Sequence, residues 1–377
     1  MNARTIALPI AGLLLATAAN AAELPKTLAV TAYDVGSSGY SQAVAVGSAF
    51  KNNYGVTMRV LPGKNDVSRT EPLRQGKVDF SFNSSGTVFA QEGVDVFGTA
   101  DWGPQRVRLM LSSMGDNCIS LFWTEDLGIN EISGLKGKRV AFVKGSPALQ
   151  KTVYAYLRFG GLTWDDVKLV EVGGNGAAFD AILNNQADIF ASTTSSGSTL
   201  KQINSPRGIH WPTLDPDDKE AWKRMLEVTP YLRPHVCKES AGNLPAWKGA
   251  SSPYPLIMLY DTGAPDLAYA VTKAMFEQYP NYKDAAPAAS GYALEKQVMD
   301  YMIPYHEGAV RFYKEVGKWT PEIQANQEAL VARQDALGDI WKAYKAKPAE
   351  SDFYDGWMKA RYEGLEAAGL QPYWRTF

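Results

Sequence analysis

The chain has 377 residues, 45% of them hydrophobic, and a formal net charge of −2. This is enough for two or so domains with real apolar cores, and a near-neutral balance without a basic run argues against a nucleic-acid partner. His210, His235 and His306 stand far apart without metal-ligand spacing, and no Walker lysine or Gly-x-Ser-x-Gly elbow accompanies the Gly-rich loops, so neither a metal or cofactor nor covalent catalysis is expected.

Residues 1–21 read as an export signal: Arg4 supplies a positive start, Thr5 to Ala18 is apolar around Leu13-Leu14-Leu15, and Ala19-Asn20-Ala21 fits a small-x-small cleavage site before Ala22. The apolar run is shorter than the roughly 20 residues that span a bilayer. The mature chain is therefore expected to be soluble and periplasmic.

Val30 to Ala32 ends a strand-like run, Gly36-Ser37-Ser38-Gly39 forms a small-residue loop, and Ala43, Val46, Gly47 and Phe50 follow at helical spacing. Such a strand, loop and helix start converge free N–H groups and the positive end of a helix dipole on an anion. Val56 to Leu61 is strand-like, Ser68 to Gln75 suits a short helix, and Val78 to Phe82 is a buried-strand run ending in Asn83-Ser84-Ser85-Gly86-Thr87.

The same order returns about a hundred residues on. Arg139 to Val143 is a strand, Lys144-Gly145-Ser146-Pro147 a loop, and Leu149, Val153, Tyr156 and Leu157 a helical stripe closed by Gly160-Gly161, as Gly55 closes the first. Val167 to Val172, Ala177 to Asn185 and Ala187 to Ala191 complete the copy, which ends in Ser192-Thr193-Thr194-Ser195. Ser38 to Ser85 and Ser146 to Thr193 are both steps of 47 residues. Alternating β and α segments imply parallel sheets with ligands beyond the carboxyl ends of the strands. Two lobes of this kind would enclose a small molecule between Ser/Thr loops.

His210 to Pro245 reads as a connection, and Leu256 to Tyr260 as a strand that returns to the first lobe, followed by a helix through Leu267, Val271, Ala274 and Gln278. Beyond residue 320, Leu330, Leu337, Ile340, Trp341 and Tyr344 suggest one amphipathic helix, and Tyr354, Met358, Tyr362 and Leu365 another, with Pro348 between. They form either a helical pair packed on the first lobe or a surface for a dimer or a permease. The two cysteines, Cys118 and Cys237, lie near the two crossings between lobes. In an oxidising compartment they most simply form one disulfide, the alternative being two separate buried thiols.

The segments Gly36 to Tyr40, Leu73 to Asp79, Ile132 to Val140 and Pro304 to Tyr313 resemble, in order and spacing, the TAXI family of extracytoplasmic solute-binding proteins of tripartite ATP-independent periplasmic (TRAP) transporters. The resemblance covers residues 27 to 317. It implies an α/β, two-lobed periplasmic binding protein (Venus flytrap, type II-like), here with a helical C-terminal extension, that delivers a small organic acid to membrane permease subunits. On this reading lobe I is 22–116 plus 242–320, lobe II is 117–241, and 321–377 is the extension. The family's second helix start is a ligand-contacting segment, which points to Arg69 as the grip on a carboxylate, although Glu71 is placed to pair with it instead. The expected ligand residues are Gly36, Ser37, Ser38, Gly39 and Tyr40 of the first loop, Arg69, Asn83, Ser84 and Ser85, then Gly145, Ser146, Thr193, Thr194 and Ser195 of the second lobe. Rival readings are a binding protein serving an ATP-driven importer or a sensor kinase, and a secreted hydrolase or transferase on a similar scaffold.

Overall fold

The computed structural model describes residues 23–346 and 352–374, so the export signal at 1–21 and Pro348 lie outside the described residues. The chain opens with β1 (Thr27–Ala32), α1 (Ser38–Tyr54), β2 (Thr57–Pro62), α2 (Asp66–Arg74), β3 (Phe80–Asn83), α3 (Gly86–Glu92) and β4 (Val107–Ser112). There follow β5 (Ile119–Trp123), β6 (Arg139–Val143), α4 (Pro147–Phe159), β7 (Lys168–Val172), α5 (Asn175–Leu183), β8 (Ile189–Thr193), α6 (Gly197–Ile203), α7 (Lys219–Val228) and β9 (Arg233–Cys237). The remainder is β10 (Trp247–Ser251), β11 (Leu256–Tyr260), α8 (Pro265–Glu277), α9 (Tyr279–Tyr282), α10 (Glu307–Glu315), α11 (Pro321–Lys345) and α12 (Phe353–Ala367).

Local chemistry sets the key boundaries. Ser37 caps α1 by accepting the Tyr40 N–H, and Gly55 ends that helix in the left-handed region, φ 70°, where a side chain would be strained. Asn65 and Ser68 form a capping box that starts α2 with Asp66 in its first turn.

Two separate sheets organise the chain. One has the strand order β2-β1-β3-β11-β4 and the other β5-β8-β6-β7, so residues 28–82 and 140–193 lie in different sheets. The expectation of purely parallel sheets is corrected: β11 runs antiparallel to β3 and β4, and β5 antiparallel to β8. Both are the strands by which the chain enters a sheet after a crossing, so they run against strands that lead out toward it. The stretch read as a mere connection, 210–245, instead holds α7 and β9. Trp222 and Met225 of α7 are buried, and β9 pairs antiparallel with β10.

Cys118 and Cys237 are joined in a disulfide with Cα atoms 5.3 Å apart, both fully buried. On β10, a Cβ at Gly249 would lie 2.6 Å from the Cys237 sulfur, so glycine is required beside the bridge. The bridge closes a loop of 119 residues, and loss of a native disulfide typically costs about 2–5 kcal/mol. Intact mass after alkylation without reductant is expected to show no modified thiol. The paired Cys118→Ser, Cys237→Ser variant is expected to melt several degrees lower; an unchanged midpoint would contradict the bridge's stabilising role.

The C-terminal helices pack on each other and on the first sheet's domain. Gln334 donates to Gln91 at 2.7 Å, Trp357 donates to the Gly93 carbonyl at 2.6 Å, and Arg106 pairs with Asp335. Their anchor is Glu92, the last residue of α3, fully buried between Arg333 and Arg361. Arg333 also holds the Gln371 carbonyl and Arg361 the Trp374 carbonyl, and Trp374 stacks on Phe89 of α3 at 5.0 Å.

Candidate ligand site between the two sheets

The loops at the carboxyl ends of the strands meet across a narrow cleft. The Asp66 and Val67 N–H groups donate to the Gly145 carbonyl, Asn65 donates to the Lys144 carbonyl, and the Asn175 N–H donates to the Lys64 carbonyl. The Gly176 N–H, in the first turn of α5, donates to the Asp34 carboxylate at 2.9 Å, and the Ser198 N–H donates to the Gly36 carbonyl. Lys151 of α4 reaches Asp95 at 3.6 Å. The arrangement is a closed one, with elements of both sheets bonded to each other around the cleft.

Between them lies a cavity lined by Tyr33, Ser37, Asp66, Arg69, Ser84, Ser85, Ile119, Ala148, Leu149, Thr152, Asn175, Ser192, Thr193 and Tyr254. The cavity has a volume of ≈ 50 Å³, enough for ordered water or one compact solute.

Arg69 dominates its chemistry. The side chain is 1% exposed, lies with its guanidinium carbon 4.4 Å from the centre of the Tyr33 ring, and donates from Nη2 to Asp66 at 2.5 Å and to Ser84 at 2.8 Å. Its Nε and Nη1 are buried without a hydrogen-bond partner. Leaving buried donors unmet costs about 1–3 kcal/mol each, so a solute oxygen reaching them gains accordingly. The alternative of a surface arginine paired with Glu71 is overturned, because Glu71 holds Arg74 instead, at 2.8 Å. Arg74 also lies over the Trp102 ring, 4.3 Å from its centre.

Asp66 itself spans the cleft. Its Oδ1 takes Arg69 and its Oδ2 accepts the Ala148 N–H at 2.9 Å, so the first residue of α2 caps α4 on the other side. Burial pushes the Tyr33 hydroxyl far above its ordinary value, with Asp66 adding to the rise and Arg69 opposing it, and burial likewise raises Tyr254. Both stay neutral at any working pH and offer a proton to an acceptor.

Of the residues expected at the site, Ser37, Arg69, Ser84, Ser85 and Thr193 line the cavity. Others form its frame. Ser38 and Thr193 bond across the cleft at 3.0 Å, Ser146 meets Tyr33 at 3.3 Å, and Gly145 and Gly36 supply the carbonyls that join the two sides. A Cβ at Gly39 would sit 2.5 Å from the Tyr254 hydroxyl. Asn83 is buried, accepting the Ser84 N–H and donating to Thr70, while Thr194 accepts the Cys118 N–H beside the disulfide. Ser195 is buried with an unmet hydroxyl, and Tyr40 packs against the core; the aromatic walls are Tyr33 and Tyr254. Sequence reading missed Asp66, Tyr33, Asn175 and Tyr254. For Asp66 a signal existed, the i, i+3 spacing to Arg69 that brings opposite charges together on one helix face.

A family model described as NMT1-like matches residues 31–317. The chain belongs to the NMT1-like family. Similar solved structures include the alkanesulfonate-binding protein SsuA from Xanthomonas axonopodis pv. citri bound to MOPS, with 14% identity, TM-score 0.46, and 86% of this chain and 96% of that one covered. An ancestral arginine-binding protein bound to arginine shows 14% identity and TM-score 0.44 over 70% of this chain and 97% of that one. PhnD1 from Prochlorococcus marinus (MIT 9301), in complex with methylphosphonate, shows 12% identity and TM-score 0.43 over 78% of this chain and 100% of that one. No curated protein matches. The SsuA and ancestral arginine-binding structures are described as binding proteins; this chain's own architecture is two α/β sheets facing a cleft, followed by the helices α11 and α12.

Proposed function

We propose that this member of the NMT1-like family is a periplasmic solute-binding protein that captures a small organic acid in the cleft and delivers it to a membrane permease. The lobes are taken as 22–116 plus 242–320 and 117–241, with 321–377 as the extension. The observation that carries the reading is the buried Arg69 guanidinium, with two unmet donors, on a cavity framed by hydroxyls and helix starts of both lobes. Ser37, Ser84, Ser85 and Thr193 would hold the remaining acceptors, and Ile119, Ala148 and Leu149 the apolar body.

Delivery has two forms. The TAXI-like segments at 132–140 and 304–313 support a sodium-coupled tripartite permease; the other form is an ATP-driven importer. Uptake by proteoliposomes carrying a candidate permease, with the loaded protein added outside, separates them: a sodium gradient drives the first, ATP the second.

A thermal-shift screen of monocarboxylates, keto acids, amino acids and sulfonates tests the binding itself. A ligand at a hundred times its Kd stabilises the bound state by about 2.7 kcal/mol, a rise of several degrees. Because it touches both lobes, scattering is expected to show a smaller radius of gyration or a narrower distribution of sizes with ligand than without. A tight ligand that leaves both unchanged would sink the hinge-closing mechanism.

A further inference from the structure

We infer that Asp66 makes the cleft selective for solutes with a single negative charge and turns dianions away, an inference that rests on the anion-binding reading above. Among the described residues that line the cavity, Arg69 and Asp66 carry the formal charges, and they pair with each other at 2.5 Å, each 1% exposed. The guanidinium is therefore neutralised before any solute arrives. What it offers is the direction of two free N–H groups, not an uncompensated unit of charge.

Asp66 cannot swing away to water. Arg69 and the Ala148 N–H hold its two oxygens, and a Cβ at Gly86 would stand 2.6 Å from its carboxyl carbon, so glycine there keeps the space the carboxylate fills. A solute that reaches Arg69 Nε and Nη1 consequently sits beside a buried carboxylate. One negative charge is accommodated by those donors and by the positive end of α1, the start of α5 being already taken by the Asp34 carboxylate. A second charge has no cation among the lining residues to meet it, and like charges in a buried site disfavour each other strongly. The Ile119, Ala148 and Leu149 side of the cavity suits a short apolar body opposite the single charged head.

The test compares probes of matched shape and different charge by calorimetry at pH 7.5: methanesulfonate against sulfate, and butyrate against succinate. Each monoanion is expected to bind at least tenfold more tightly than its dianionic partner. Asp66→Asn is expected to shrink that ratio by tenfold or more, while Asp66→Glu, which keeps the charge, is expected to preserve its direction. A role for Asp66 in folding alone would weaken all four probes alike. If sulfate or succinate binds the unaltered protein as tightly as its partner, the selectivity is overturned while anion binding stands; this comparison needs no variant to fold. If all four anions fail and only uncharged solutes bind, the anion-binding reading fails and the selectivity with it.

Discussion

Arg69→Ala is expected to weaken binding of the best anionic solute on the order of a hundredfold or more, since truncating one partner of a buried, hydrogen-bonded charge pair costs about 2–5 kcal/mol. The prediction rests on the two unmet donors of a side chain only 1% exposed. The same change strands Asp66, which keeps the Ala148 N–H but loses its cation. An uncompensated buried carboxylate destabilises by about 3–5 kcal/mol, so a lower melting temperature is expected alongside the lost affinity. Arg69→Lys separates the two effects. An ammonium still balances Asp66 but has no planar fork to present Nε and Nη1 to a solute. It is expected to restore most of the stability and little of the affinity. Calorimetry on both variants checks this; Arg69→Ala binding the solute as tightly as the parent would remove Arg69 from the site.

The parts of this molecule that were legible in the sequence are those set by local chemistry. β1, β6 and α4 stand where apolar periodicity puts them, and the loop at 36–39 does run into α1; α2 begins at Asp66, two residues before the expected Ser68, because Asn65 and Ser68 box its start. The equal 47-residue steps foretold loops that do face each other, since Ser38 of one copy bonds Thr193 of the other. What stayed hidden depends on pairing at a distance. The direction of β5 and β11 follows from where the chain re-enters each sheet, which no side-chain pattern encodes. Tyr254 reaches the cavity from the Ser251-Ser252-Pro253 stretch and Asn175 from the Gly173-Gly174 turn, neither of which belongs to the four loops that the repeated order marks. The 210–245 stretch hid α7 because its proline and charge content masked a single apolar face of Ala221, Trp222 and Met225. Ser195 lies in a loop that was read as ligand-facing, yet its hydroxyl is not among the cavity lining; within one turn, sequence does not say which hydroxyl points which way.

Removing the carboxylate of Glu92 is expected to cost more stability than any exposed ion pair of the chain. Glu92 is fully buried and holds Arg333 at 2.7 and 2.8 Å and Arg361 through its second oxygen, with both arginines 5% exposed or less. Glu92→Ala leaves two guanidiniums in the interior with no anion between them, and breaking a buried pair in this way costs about 3–5 kcal/mol, against about 0–1 kcal/mol for a surface pair. The pH dependence has a definite sign. Burial by itself would raise the Glu92 carboxyl, but the two guanidiniums outweigh it and hold the group below its ordinary value of 4.5. A depressed carboxyl stabilises the fold above the unfolded value and loses that contribution as pH falls through the folded one. The difference in melting temperature between the parent and Glu92→Gln is therefore expected to be full near neutrality and to narrow progressively below about pH 4.5. A gap that stays constant down to pH 3 would mean that Glu92 acts through packing and not through charge. The consequence reaches the cleft, because Glu92 ends the short helix α3 whose other end follows Ser84 and Ser85. The arginines that neutralise it also hold the carbonyls of residues 371 and 374. Loosening that anchor is expected to free the C-terminal helices and, through α3, to blur the position of two cavity hydroxyls, so that Glu92→Gln binds solute more weakly although it touches none.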